Sequence, residues 1–153
     1  ELPQKGRSKE KRHDKNLVTF GIAESDENIP LLHETYSGNV HDAKIFPEVI
    51  DNLVDRLRNL KINTTDMTVV FDKGNNSDDN INKALENMHV IGSLKRNQVK
   101  ALMEVTLSEY DFLYKSSKVN EVFGYRTKKH VFGQEFTVVV SYNSKSQAKK
   151  EKK

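Results

Sequence analysis

Residues 67–76 read Met-Thr-Val-Val-Phe-Asp-Lys-Gly-Asn-Asn, a continuous apolar run that ends in polar, turn-forming residues. A run without polar alternation is typical of a strand that is buried on both faces. We therefore expect this strand to be central, with Asp72 where it ends. Ligands and catalytic groups collect at the carboxyl ends of strands in open α/β sheets, so Asp72 is a candidate site residue. The alternative is an aspartate that merely begins a turn, because Asp is common after strands.

A helix is predicted on each side of this strand. Apolar residues recur at three- and four-residue steps over residues 43–60, as in a helix that packs one stripe against a sheet. Pro47 is tolerated only in a first turn, so the regular helix is expected to begin near Phe46. Ser77 is the predicted N-cap of the second helix, whose first turn holds two acidic residues.

Short strand-like segments flank these helices. Residues 17–23 and 29–36 are rich in β-branched and aromatic side chains, and the short polar turn between them favours an antiparallel hairpin. Residues 89–94 follow the second helix as a last short strand. A hairpin followed by strand, helix and strand predicts a mixed α/β sheet whose second half is parallel.

The pattern changes after Asn97. Residues 99–114 are predicted to be loosely helical, and residues 119–126 and 130–142 to form a β-hairpin that turns at Lys128-Lys129. The tail from residue 143 has no apolar periodicity, which is typical of a mobile terminus; the beginning of a helix that is cut short is the alternative.

Composition excludes several classes of protein. The chain of 153 residues has room for one domain, at most one and a half. It has no cysteine, which excludes disulfides, thiolate zinc sites and thiol nucleophiles. No apolar run approaches the ~20 residues of a membrane helix, and no signal-peptide pattern opens the sequence. A soluble intracellular protein is the expectation.

The net charge of +3 conceals a segregation of charge. Residues 1–16 carry +3, residues 143–153 carry +4, and the 126 residues between them carry −4. Basic ends on an acidic body suit contact with a polyanion such as nucleic acid. A pair of solvated tails remains the alternative.

A second carboxylate to accompany Asp72 is hard to find. Two-metal phosphodiester chemistry needs several acidic ligands around ions ~4 Å apart. Glu104 and Glu109 follow Asp72 on a possible helix, but a solvated helix face is the favoured interpretation. The five histidines have no ligand spacing, and the glycines form no phosphate-binding loop.

Five segments occur in a distinctive order along the chain. They are Gly6-Arg-Ser-Lys-Glu-Lys-Arg-His-Asp-Lys-Asn-Leu-Val18, Ile29-Pro-Leu with Tyr36-Ser-Gly-Asn-Val-His-Asp42, Val69-Val-Phe-Asp-Lys-Gly-Asn75, Gly92-Ser-Leu-Lys-Arg96, and Tyr125-Arg-Thr with the run from Val131 to Asn143. Together they resemble the DDE transposases of bacterial and archaeal insertion sequences. The resemblance covers nearly the whole chain.

The resemblance implies a ribonuclease H-like catalytic domain that cuts and joins DNA with Mg²⁺ or Mn²⁺. Asp72 matches the second carboxylate of the Asp-Asp-Glu triad, as both a catalytic residue and a metal ligand. The first Asp of the family lies upstream of Gly6 and its Glu lies after Asn143, so we expect an internal fragment with one triad acid. Residues 98–142 correspond to the insertion between the second and third acids, so Glu109 lies in the wrong element to be the third.

A missing first strand is the structural consequence. In ribonuclease H-like sheets that strand lies between the hairpin and the Val69 strand, so its loss would expose two unpaired edges. Three alternatives stay open: another chain fills the gap, the two halves pair directly, or the lost strand is supplied in trans. The expected domains are a partial core over 1–97, an insertion with a helix and β-hairpin over 98–142, and a basic tail over 143–153.

The resemblance also implies partners. We expect transposon-end and target DNA, a homo-oligomeric assembly, and a prokaryotic cytoplasm in which the protein associates with the nucleoid. The cations expected to approach phosphates, which position DNA without reading its sequence, are Lys9, Lys11, Arg12, Lys95 and Arg96. With one triad acid, this chain is expected neither to cleave DNA nor to hold Mg²⁺ tightly.

Two other interpretations stay open. One is a non-catalytic DNA-binding or assembly module from a degenerate transposable element. The other is a plain α/β domain whose basic tails serve solubility. Salt-dependent binding to duplex DNA separates the last from the other two.

Overall fold

The computed structural model describes residues 2–6, 14–116 and 120–143. The chain divides into two compact units, Glu1–Ser93 and Leu94–Lys153. In the described part of the chain, no helix is long and apolar enough to cross a membrane.

The first unit is a mixed α/β arrangement, as predicted. Its elements in chain order are β1 (Val18–Glu24), β2 (Pro30–Ser37), α1 (Asp42–Asn59), β3 (Thr68–Val70), α2 (Asp78–Leu85) and β4 (His89–Ile91). Strands β1 and β2 form an antiparallel hairpin, and β3 pairs with β4 in parallel. Among the described residues these are two separate two-stranded sheets, so direct pairing of the two halves is not seen.

Both small sheets pack against the core formed by helix α1. The core consists of the apolar stripe of this helix, the adjoining face of α2 and the residue just before β4, and its buried members are Phe46, Ile50, Leu53, Val54, Leu57, Ala84 and Met88. Ala23 and Leu32 from the hairpin pack against this cluster, as do Val69 and Val90 from the parallel pair. Burial of this stripe supplies the main attraction between the elements, because two-stranded sheets are marginal by themselves.

The opposite face of each sheet is open. Phe20 and Ile22 on β1 are 66% and 65% exposed, and Val70 on β3 is 69% exposed. The prediction that the strand after Met67 is buried on both faces is therefore wrong. One layer of helices covers the two sheets within the described residues, so side chains that alternate away from α1 meet solvent.

Helix α1 begins at Asp42, earlier than the start near Phe46 that Pro47 suggested. A proline has no N–H for the carbonyl four residues earlier, which here is that of Ala43. The side chain of Asn80 donates a hydrogen bond to that carbonyl at 2.9 Å. The turn before the proline therefore keeps a partner and stays helical.

The second unit opens with short 3-10 helices and ends in a sheet. The 3-10 helices are Arg96–Gln98, Lys100–Met103 and Leu107–Glu109. Strands β5 (Asp111–Ser116), β6 (Asn120–Val131) and β7 (Gln134–Tyr142) form an antiparallel sheet in the order β5-β6-β7. The predicted loose helix over 99–114 is thus wrong at its end, because residues 111–114 pair with β6 instead. Cross-strand side-chain contacts stabilise this pairing, and the rings of Phe112 and Phe123 lie 5.9 Å apart.

The β6–β7 hairpin is confirmed, but its turn is not at Lys128-Lys129. Those two lysines lie within β6, opposite Thr137 and Phe136. The turn is Phe132-Gly133, with φ of 52° and 73°. Positive φ at both positions of a two-residue loop is the pattern of a type I′ turn, which matches the twist of the flanking strands.

Candidate functional site

Asp72 lies at the carboxyl end of the parallel pair, as predicted. The ladder continues one residue beyond β3, where the N–H of Phe71 donates to the carbonyl of Ile91 at 3.2 Å. Asp72 comes next and is exposed. Its Oδ1 accepts the N–H of Lys73 at 2.7 Å, which caps a short 3-10 helix, Lys73–Asn75. The carboxylate thus faces solvent beside the end of β4 and keeps oxygen lone pairs for another ligand.

Two asparagines hold the segment that follows Asp72. The side chain of Asn76 is almost buried, and its Nδ2 donates to the carbonyl of Ser93, just beyond β4. Asn80 is 3% exposed, and its Nδ2 donates to the carbonyl of Asn75 as well as to that of Ala43, each at 2.9 Å. The loop after β3 is therefore tied to the loop after β4 and to both helices.

Sequence reasoning missed these two asparagines. Each acts on residues far away along the chain, and the Asn80–Ala43 contact spans 37 positions. One signal was present. A proline six residues into a helix leaves a carbonyl that needs a donor from elsewhere, and a buried asparagine on a neighbouring helix can supply one.

Gly92, just after β4, lies close to the loop that follows β3. A Cβ at this position would lie 3.4 Å from Oδ1 of Asn76 and 3.7 Å from the ring of Phe71. The Oδ1 atoms of Asn75 and Asn76 are buried and have no hydrogen-bond partner among the described residues. Uncharged amide oxygens therefore lie in the same loop as the Asp72 carboxylate.

Asp72 fits a divalent cation as one ligand and no more. Among the described residues, no group of three or more His, Cys, Asp or Glu side chains could hold a metal ion. Because affinity for Mg²⁺ or Ca²⁺ rises with the number and charge of oxygen ligands, one exposed carboxylate holds such an ion weakly. The described residues do not form a complete metal centre.

The hydroxyl of Tyr36 links the end of β2 to the start of α1, within one of the segments that carry the family resemblance. It donates to Oδ1 of Asp42 at 2.8 Å. Burial, followed by this hydrogen bond to a carboxylate and the negative charge of Asp42, raises the pKa of Tyr36 to about 12. The hydroxyl is thus held protonated as a donor and fixes the entry to the helix.

The predicted phosphate-contacting residues fall into two groups. Lys95 and Arg96 are exposed neighbours at the start of the second unit, where the Lys95 N–H donates to Oε1 of Gln98 at 2.8 Å. Arg96 lines an open cleft of about 320 Å³ together with Asn97, Lys100, Met103 and Glu104. The other three cations, Lys9, Lys11 and Arg12, lie outside the described residues.

The acids considered beside Asp72 lie in the second unit. Glu104 borders the cleft that Arg96 lines, and Glu109 ends the short 3-10 helix before β5. Both are exposed. Asp72 belongs to the first unit, and Lys95 and Arg96 to the second.

Charge differs sharply between the units. Residues 1–93 carry 12 Lys and Arg against 16 Asp and Glu, a net −4. Residues 94–153 carry 13 against 6, a net +7. A polyanion is therefore attracted to the second unit more strongly than to the first.

Comparison of the chain with protein-family models, with curated proteins and with solved structures found no match.

Proposed function

We propose that this chain is part of a DDE transposase with a ribonuclease H-like domain, in which Asp72 is a catalytic metal ligand. The activity is metal-dependent DNA strand cleavage and transfer. The observation that carries the proposal is the position of Asp72, exposed at the carboxyl end of β3 beside the parallel strand β4. The five sequence segments that resemble this family support it.

The order of elements also supports this assignment. A ribonuclease H-like sheet places its first strand between an antiparallel hairpin and a parallel pair. Here β1–β2 and β3–β4 are such a hairpin and pair, both packed on α1 and not paired with each other in the described residues. The two sheets thus leave strand edges on which a further strand could pair.

The contribution of Asp72 to the chemistry is one oxygen ligand of fixed orientation. The Lys73 N–H holds one carboxylate oxygen, and the Asn76 contact with the Ser93 carbonyl keeps the loop in place. A bound Mg²⁺ or Mn²⁺ would supply the chemistry known in the family, which is activation of a water or a 3′ hydroxyl and stabilisation of the negative charge on the oxygens around phosphorus. The described residues complete no such centre, so no reaction step is assigned to this chain alone.

A second function is favoured by a specific contact. The Asp72 carboxylate caps its own short helix, which is a structural task that needs no metal. A non-catalytic DNA-binding or assembly module from a degenerate element would keep this contact and the basic second unit. The experiment below separates the two functions.

Paramagnetic broadening by Mn²⁺ tests the metal-ligand role of Asp72. In amide NMR spectra of the 153-residue chain, substoichiometric Mn²⁺ is expected to broaden residues 72–76 and 92–93 first, because these surround the carboxylate. Asp72→Asn is expected to abolish that broadening. Asp66→Asn, which removes another exposed aspartate from the same unit, is the matched control and should leave the broadening unchanged.

The opposite result is equally clear. Broadening spread evenly over all exposed carboxylates, and unchanged by Asp72→Asn, would favour the non-catalytic module. The same protein is expected not to nick supercoiled plasmid DNA in Mg²⁺, since one ligand does not make a two-metal centre. Nicking that Asp72→Ala abolishes would show that the chain suffices for cleavage.

A further inference from the structure

The outer part of the β6–β7 hairpin is a two-stranded arm. Strand β5 pairs with β6 only as far as Gly124, whereas β6 and β7 stay paired from there to Val131 and Gln134. Seven residues of β6 beyond Gly124 at ~3.3 Å each give a ribbon about 23 Å long. The arm thus consists of residues 125–140 and ends in the tight Phe132-Gly133 turn.

Cations are concentrated on this arm. Arg126, Lys128 and Lys129 lie within four residues of β6, and His130 follows them. Because side chains alternate along a strand, Arg126, Lys128 and His130 share one face, and all three are exposed. Lys129 lies on the other face, opposite Phe136.

One carboxylate opposes these cations. Oε1 of Glu135 lies 2.7 Å from Nζ of Lys128, and both side chains are well exposed. Within the described part of the chain, neither Arg126 nor Lys129 forms an ion pair with a carboxylate. Two cations of the arm therefore remain available to an external anion.

We propose that this arm binds duplex DNA by lying in the major groove. The major groove admits a two-stranded β-ribbon, and the arm is a ribbon that β5 does not cover. The positive charge of the arm and of its unit favours an anionic partner such as DNA. The arm carries a net +2 within a unit of +7, whereas residues 17–93, with 6 Lys and Arg against 13 Asp and Glu, carry −7. The proposal rests on the DNA-binding part of the proposed function and names the surface that performs it.

Binding of a fluorescent 25-base-pair duplex to the 153-residue chain tests the arm. Each lost phosphate contact is expected to weaken binding roughly tenfold at 0.1 M salt and to reduce the slope of log K against log[salt] by about 0.9. Arg126→Gln/Lys129→Gln should therefore lose up to about a hundredfold. The matched control Lys44→Gln/Arg56→Gln removes the same charges from exposed positions of α1 and should change affinity less than twofold.

A variant that binds more tightly excludes misfolding as the explanation. Glu135→Gln removes the acid of the arm and releases Lys128, so affinity should rise by about tenfold at 0.1 M salt. The control is Glu121→Gln, which removes an exposed acid from β6 where it pairs with β5, outside the arm. Equal tightening by both variants would mean that net charge alone matters and would overturn the arm proposal.

Groove-specific competitors test the position of the ribbon. Methyl green occupies the major groove and is expected to displace the protein, whereas netropsin occupies the minor groove and should not. The reverse result would overturn the groove assignment. A wild-type chain that fails to bind the duplex at 50 mM salt would overturn DNA binding itself, whereas binding that the arm variants leave unchanged would overturn the arm alone.

Discussion

The first unit is held together by the buried apolar stripe of helix α1, whereas the second unit is held together mainly by strand pairing. Of the ten hydrophobic residues that are buried in the described part of the chain, eight lie in the first unit, and Val99 and Val122 are the two in the second. The net charge also differs, because the first unit carries −4 and the second carries +7. A sheet that is held together by hydrogen bonds between its strands needs few buried apolar side chains. Its surface can therefore carry many cations.

The largest expected effect tests the helix-centred core. Leu57 on α1 is 1% exposed, so Leu57→Ala should lower the free energy of unfolding by about 2–5 kcal/mol, through lost burial and the cavity that remains. Leu60, just after the same helix and 61% exposed, is the matched control, and Leu60→Ala should stay within about 0.5 kcal/mol. Urea unfolding followed by circular dichroism measures both, and equal losses would contradict a core centred on α1.

A double-mutant cycle tests the link between the two helices. Asn80→Ala leaves the Ala43 and Asn75 carbonyls without their side-chain donor and should cost about 1–3 kcal/mol. In a Pro47→Ala background the loss should be smaller, because the new backbone N–H at position 47 can donate to Ala43. Additive effects of the two substitutions would show that Asn80 does not compensate for the proline.

Two glycine substitutions compare the packing of the units. A Cβ at Gly124 on β6 would lie 2.5 Å from Cδ1 of Leu113, so Gly124→Ala should cost about 1–3 kcal/mol. Gly74, in the loop after Asp72, has nothing within 4 Å of its added Cβ, so Gly74→Ala should be nearly neutral. Thermal unfolding distinguishes them, and a neutral Gly124→Ala would mean that the Leu113 side chain moves aside without cost.

The smallest expected effect concerns pH. Because the pKa of Tyr36 is raised from 10.0 to about 12, the folded state keeps the hydroxyl protonated while the unfolded chain ionises. The resulting stability is present below pH 10 and is lost as the pH rises from 10 to 12. Tyr36→Phe should lose about 1 kcal/mol at pH 8, and the difference from wild type should shrink towards pH 12. A constant difference across that range would contradict the Tyr36–Asp42 contact.

The first unit was largely predictable because its signals are local. The apolar spacing over 43–60 indicated α1, and the Ser77 hydroxyl does accept the N–H of Asn80 at 3.2 Å, as an N-cap should. The end of β3 placed Asp72 correctly at a strand terminus. Exposure of Val70 could not be foreseen, since it depends on which elements cover the sheet rather than on the strand itself.

The second unit was less predictable because its structure depends on pairing between distant segments. Residues 111–114 form a strand because they pair with β6. The adjacent lysines at 128 and 129 suggested a polar turn, although Gly133, which tolerates positive φ, was the stronger indicator. Of the candidate site, the carboxylate was found from the sequence, while the buried asparagine contacts that orient its loop were not.

The proline of α1 has a consequence for the order in which the protein folds. Since the donor for the Ala43 carbonyl comes from Asn80, we expect the first turn of α1 to be completed only after α2 docks. Early in folding, α1 would be ordered from its middle onward and its first turn would be frayed. That turn would become ordered late, because it needs α2, which follows it in the sequence. We therefore expect the last step in the folding of this unit to depend on a contact between residues far apart in the sequence, rather than on local helix growth.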